Sequence, residues 1–171
     1  MKLILFFLFP FLVSSTSENT ANVDTISEAR SLFKSAAFDQ QSCASLMYGL
    51  KNYNENNNPT LAAYKACGCM MNAKYVINPF EKWNSFSKGK TLLQKSVGKE
   101  PLNVEIRFLR LAMQSKSPSF LGYSEDIPKD KNFVLQQFKS LEDIELKNFM
   151  KAFLEKADIL SHAEKKIIEN Y

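Results

Sequence analysis

The chain holds a single histidine among 171 residues, with only three cysteines and five glycines. Each scarcity excludes something. His162 stands alone in the first turn of the last expected helix, so no histidine base can be paired with a serine or cysteine nucleophile. Histidine-rich zinc sites go the same way, because catalytic zinc usually takes three protein ligands with histidine prominent among them. Lys and Arg number 22 against 18 Asp and Glu, a net charge of +4. That excess is mild and interleaved with acidic residues, whereas nucleic-acid binding calls for a basic stripe, often with stacking aromatics. No nucleic-acid partner, no cofactor and no enzymatic activity are expected.

Long apolar runs are also rare. The one present, Leu3 to Val13, follows Lys2 and gives way to Ser14-Ser15-Thr16-Ser17. A spanning helix needs about 20 apolar residues. The shorter run reads as a secretory signal peptide over residues 1–15, with Val13 and Ser15 as the small residues before the cut. Residues 16–171 are then one domain, exported to the periplasm or secreted, with no membrane span after cleavage.

What remains is dominated by apolar residues at three- and four-residue spacing, the signature of helix. Thr25-Ile26-Ser27-Glu28 is a capping box opening a first helix to about Phe38, with Ala29, Leu32, Phe33 and Ala36 inward. A second helix is expected from Gln41 to Tyr53, ending in the polar loop Asn54 to Pro59. Thr60 is expected to cap a third, running to about Ile77. Asn78-Pro79-Phe80-Glu81 starts a fourth, which should place Phe80, Trp83, Phe86, Leu93 and Val97 on one inner face and stop before Gly98. Gly89 offers a small site for a close backbone approach. Two adjoining apolar rows make the fifth helix, Val104 to Ser115, a central one. Further helices are expected at 128–139, 142–156 and 161–170, the last opened by Ser161-His162-Ala163-Glu164. The fold class is all-α, a helical bundle or short α-solenoid of about seven to eight antiparallel helices.

Gly89, Leu93, Ser96 and Pro101, followed by Asn103 and a new helix, resemble the passage from one tetratricopeptide repeat to the next, although no second copy recurs at a period of about 34 residues. Ala63-Tyr64-Lys65-Ala66, Asn78-Pro79-Phe80, Glu105 to Arg110, Phe120-Leu121-Gly122-Tyr123 and Asp130-Lys131 together are similar to small exported helical proteins of Bacteroidetes-type bacteria that have no assigned function. That resemblance implies fold and compartment, without bringing an activity.

Three groups of residues have chemistry to offer. Cys67, Cys69, Met70 and Met71 are soft ligands suited to Cu(I), with Cys67, Met70 and Met71 on one helix face and Cys69 nearly opposite. Buried packing is the commoner use of such residues. Cys43 is expected to be another core filler, with a disulfide to Cys67 or Cys69 as the alternative. Arg107 and Arg110, three apart, form with Tyr123 a candidate anion-binding set, or else they tie the Phe120 to Tyr123 connection to the bundle. Catalysis without histidine would need Arg107, Tyr123 and Asp130 to converge. Glu142, Asp143 and Glu145 read as a solvated charged face beside Lys147 and Lys151. The function expected from the whole is protein or peptide binding, or scaffolding, in the bacterial cell envelope; the alternative is soft-metal binding through Cys67, Cys69 and Met71.

Overall fold

The computed structural model describes Val23 and residues 25–170. The leader expected over residues 1–15 lies outside them. Among the described residues there are eight α-helices and no strand: α1 (Ile26–Ala36), α2 (Gln40–Gly49), α3 (Pro59–Asn72), α4 (Pro79–Lys99), α5 (Val104–Lys116), α6 (Ile127–Phe138), α7 (Ile144–Leu154) and α8 (His162–Glu169). A 3-10 turn, Ser119–Leu121, lies between α5 and α6. No helix among the described residues is long and apolar enough to cross a membrane.

Side chains fix where these helices begin. Thr25 and Ser161 form reciprocal capping boxes with Glu28 and Glu164. Asp39, Asn58, Asn78, Asn103 and Asp143 each accept from amides of the first turn they precede. Such a cap satisfies donors that the helix itself leaves open and stabilises it by about 1 kcal/mol. Asn58, rather than Thr60, caps α3. Thr60 Oγ1 instead accepts from Asn103 Nδ2 at 3.2 Å, linking the starts of α3 and α5. α3 also ends at Asn72, five residues before the expected stop, and α4 continues through Gly98 to Lys99.

The helices contact one another in a regular order. In the row α1, α3, α5 and α7 each helix touches the one that follows it, while α2 and α4 bridge consecutive members of this inner row. A simple stack of helix pairs would leave the first and last members apart. Here the row closes. Phe33 of α1 meets Phe149 of α7 edge to face at 5.7 Å, and Arg30 of α1 reaches the Asp143 and Glu145 carboxylates of α7. Closure makes a bundle with α5 at its centre, buried over its whole circumference from Glu105 to Gln114.

The tightest contact joins α3 and α4. Asn72 and Cys69 of α3 bond to Ser85, and Ala66 and Met70 lie against Gly89, so the two helices run in opposite directions. A Cβ at Gly89 would stand 2.5 Å from the Ala66 carbonyl oxygen and 2.9 Å from the Met70 nitrogen. Backbone cannot yield as a side-chain tip can. The close approach expected at Gly89 is therefore present. The inner face expected of α4 is only partly so: Phe86, Leu93 and Val97 are buried, but Phe80 and Trp83 are exposed. Near its start α4 extends past the C-terminal end of α3, and among the described residues those from Ile77 to Asn84 are exposed.

Gly89→Ala is expected to lower stability by about 3 kcal/mol through overpacking, whereas Gly98→Ala, with no atom within 4 Å of its new methyl, should raise it by about 0.5–1 kcal/mol. Urea denaturation followed by circular dichroism checks both; equal effects would contradict the close approach.

Candidate functional site

Two buried charge clusters and one large groove stand out. The first cluster centres on Glu105 near the start of α5. Arg30 Nε and Nη2 donate to its two oxygens at 2.7 and 2.9 Å, and the Tyr64 hydroxyl donates to Oε1 at 2.6 Å. Arg30 also donates to Asp143 at 2.9 Å and pairs with Glu145 at 3.1 Å. One ionic knot thus draws on all four inner-row helices and their caps. The hydrogen bond to Glu105 holds the Arg30 guanidinium firmly protonated against the opposing effect of burial. Burial, then the neighbouring Glu105 charge, pushes the Tyr64 phenol well above its ordinary value. The Asp143 carboxyl is held below its usual range, first by the Leu146 amide and then by Arg30. Asp143 and Glu145 are accordingly not a purely solvated face.

The second cluster joins α5 to α6. Asp130 is fully buried and accepts from Arg107 Nε, from Arg110 Nε at 2.6 Å and from Arg110 Nη2 at 2.9 Å. The remaining guanidinium groups are occupied too. Arg107 donates to the Pro101 and Lys129 carbonyls and lies over the Phe133 ring, and Arg110 Nη1 meets Gln94 at 2.9 Å and Asp126 at 3.0 Å. Asp126 precedes α6 but makes no side-chain cap there, since its carboxylate turns to Arg110. The arginine pair therefore binds α6 to α5 rather than the Phe120 to Tyr123 connection.

Tyr123, the third member of the expected anion set, packs its ring edge-on against Phe86 at 5.8 Å, with the Lys90 ammonium over its face at 5.1 Å. Burial raises its phenol pKa, and its hydroxyl meets no partner among the described residues. Arg107, Arg110 and Tyr123 are all closed from solvent. Arg107 and Asp130 do converge, but as a saturated ion pair inside the protein.

The sulfur residues divide. Cys43, Cys67 and Cys69 are free thiols. Cys43 Sγ donates to the Gly68 carbonyl at 3.4 Å, and burial pushes its pKa up to about 11. Burial likewise raises Cys67 and Cys69, and the charged neighbours of Cys69 are Lys65 and Lys88. Met70 and Met71 open instead into the groove. Among the described residues, no three His, Cys, Asp or Glu side chains are grouped to hold a metal ion. His162 is exposed at the start of α8, as expected.

The groove has a volume of about 1130 Å³ and is walled by α1, α3, α4, α5, the 3-10 turn and α7. Phe33, Met70, Phe86, Met113, Phe149 and Phe153 make its interior, and Phe38, Trp83 and Phe120 stand along its edge. Five lysines line it as well: Lys34, Lys74, Lys82, Lys116 and Lys156. No carboxylate among the described residues does. Among the described residues none of the five forms a salt bridge; Lys74 and Lys116 lie over the rings of Phe38 and Phe153. Such long side chains lay their stems on apolar surface and keep the ammonium in water.

No protein family, curated protein or solved structure matches this chain. Its groove must speak for itself. Sequence reasoning missed it because its lysines come from five separate segments with no common spacing. Arg30 was missed too, although a signal existed: the chain has only three arginines, at positions 30, 107 and 110, and all three are buried in ion pairs.

Asp130→Asn is expected to cost about 3–5 kcal/mol, because two buried guanidinium groups lose their shared counter-charge. Replacing all three members together, Arg107→Met, Arg110→Met and Asp130→Leu, should cost much less than that. Thermal denaturation of both proteins decides; a triple variant no more stable than Asp130→Asn would contradict the ionic account.

Proposed function

We propose that the protein is a binding module whose groove holds a long-chain acyl anion. The carrying observation is the combination, among the described residues, of an apolar interior with five lysines and no carboxylate around one cavity of about 1130 Å³. Small-molecule sites usually enclose about 300–1,000 Å³ of mostly apolar space with a few polar groups fixing orientation. An acyl tail gains about 0.8 kcal/mol for each methylene it buries there. The lysine ammoniums supply the countercharge for a carboxylate or phosphate head at the rim.

This keeps the expectation of a helical binding module and changes the occupant. An extended peptide would need partners for its backbone amides and carbonyls. Besides the lysines, only Ser117 and Trp83 among the lining side chains carry an N–H or O–H group. A helical peptide satisfies its own backbone, but a helix about 10–12 Å wide would fill this volume in only about two turns. A flexible acyl chain conforms to such a space. The secretory leader read at residues 1–15 supports a site of action in the periplasm or outside the cell.

Calorimetric titration with palmitate, the corresponding fatty alcohol and an acidic amphipathic peptide tests this reading. Palmitate is expected to bind at one site. Ala152→Trp places an indole in the groove from an exposed helix position and should weaken palmitate binding by about tenfold or more, about 1.4 kcal/mol. Lys82→Glu with Lys116→Glu should weaken palmitate more than the alcohol. Tight peptide binding that Ala152→Trp abolishes, with no palmitate bound, would replace the acyl anion by a peptide.

A further inference from the structure

We infer that the mouth of the groove docks on an anionic membrane surface and takes its acyl ligand from there, an inference that rests on the acyl-anion reading of the groove. The observation is a set of large apolar side chains turned outward at one end of the molecule. Phe38, Ile77, Phe80, Trp83 and Phe120 are 85, 93, 76, 58 and 85% exposed. Three of them line the groove, and Ile77 and Phe80 flank Pro79, which lines it too. They follow α1, span the entry into α4 and lie in the 3-10 turn, so three separate segments bring apolar residues to the same opening.

Water-exposed apolar groups in one contiguous patch mark an interaction surface. The charges around this one decide its partner. The lining lysines are of one sign, and the acidic residues beside the lining ones in sequence, Asp39, Glu81 and Glu155, are not among them. A protein partner complementary to it would have to present many carboxylates around an apolar knob. A bilayer of anionic lipid offers both at once, a sheet of phosphates over hydrocarbon, and aromatic side chains with interleaved lysines are the composition that settles at that boundary. The groove opens directly between these anchors, so an acyl chain leaving the bilayer enters it without crossing water.

The arrangement supplies its own reporter. Trp83 is the only tryptophan in the chain and stands at this mouth. Leu102, 80% exposed, follows the far end of α4, about 30 Å away along the helix. The full chain is mixed with vesicles of phosphatidylglycerol and phosphatidylcholine carrying a quencher on the acyl chains, and with vesicles of phosphatidylcholine alone. Trp83 fluorescence is expected to be quenched by the anionic vesicles only, less so in high salt. In the Trp83→Phe, Leu102→Trp variant the indole should stay unquenched. Phe38→Ser with Phe120→Ser should weaken vesicle binding by about tenfold, with no effect on folding, since both side chains are exposed.

Equal quenching at both tryptophan positions would mean that another part of the chain holds the membrane, and overturns the inference. So does an unquenched Trp83 in protein that binds palmitate, which would leave the groove reading intact; capture of an acidic protein by this face with no vesicle binding would assign the patch to that partner. Conversely, Trp83 quenching without any palmitate binding would support docking while removing the acyl cargo.

Discussion

Four helices of the inner row meet at one ion pair, Arg30 with Glu105, and the bundle takes its closed form from it. Glu105 lies on α5, which is buried on every side, and a carboxylate there is tolerated only with its lone pairs filled. Two guanidinium donors and the Tyr64 hydroxyl fill them. Because Arg30 then reaches on to Asp143 and Glu145, satisfying one buried charge also draws α7 toward α1. The aromatic contacts of Phe33, Tyr64, Phe108 and Phe149 pack the same four helices side by side. Without that closure the row would be an open stack, and no enclosed groove would form along it.

Much of the architecture was legible because helix starts are local chemistry. The Thr25 and Ser161 boxes and Asn78-Pro79 depend on residues within three positions, and each acts in the structure as the sequence predicts. The two rows of α5 likewise announced a central helix. Ends were harder to read. The apolar residues after Asn72 continue the spacing of α3, yet the chain there turns to enter α4, and α3 is capped by Asn58 rather than by Thr60. Periodicity also misplaces Phe80 and Trp83, since an apolar face is turned inward only where something lies opposite it.

The candidate site was nearly invisible beforehand. Arg107 and Arg110 drew notice as a potential anion site, but a fully buried Asp130 twenty residues on claims them, and sequence spacing does not reveal which acid folds back onto which base. The division of cations carries more meaning. The three arginines, whose planar forks suit several acceptors at once, are inside. The groove is left to lysines, single charges on flexible stems. Only the assembled fold shows that separation, because each lysine taken alone is an ordinary surface residue.

At Gly89 the backbones of α3 and α4 come into close approach, and these helices form one wall of the groove. Of the residues nearest Gly89, only Met70 also faces the cavity. Natural variation is therefore free to recut the lining, residue by residue, while the wall keeps its thickness and place. Among descendants of a common ancestor, the groove lining would then drift sooner than the scaffold, and a glycine at this one position would outlast most of the residues that line the groove.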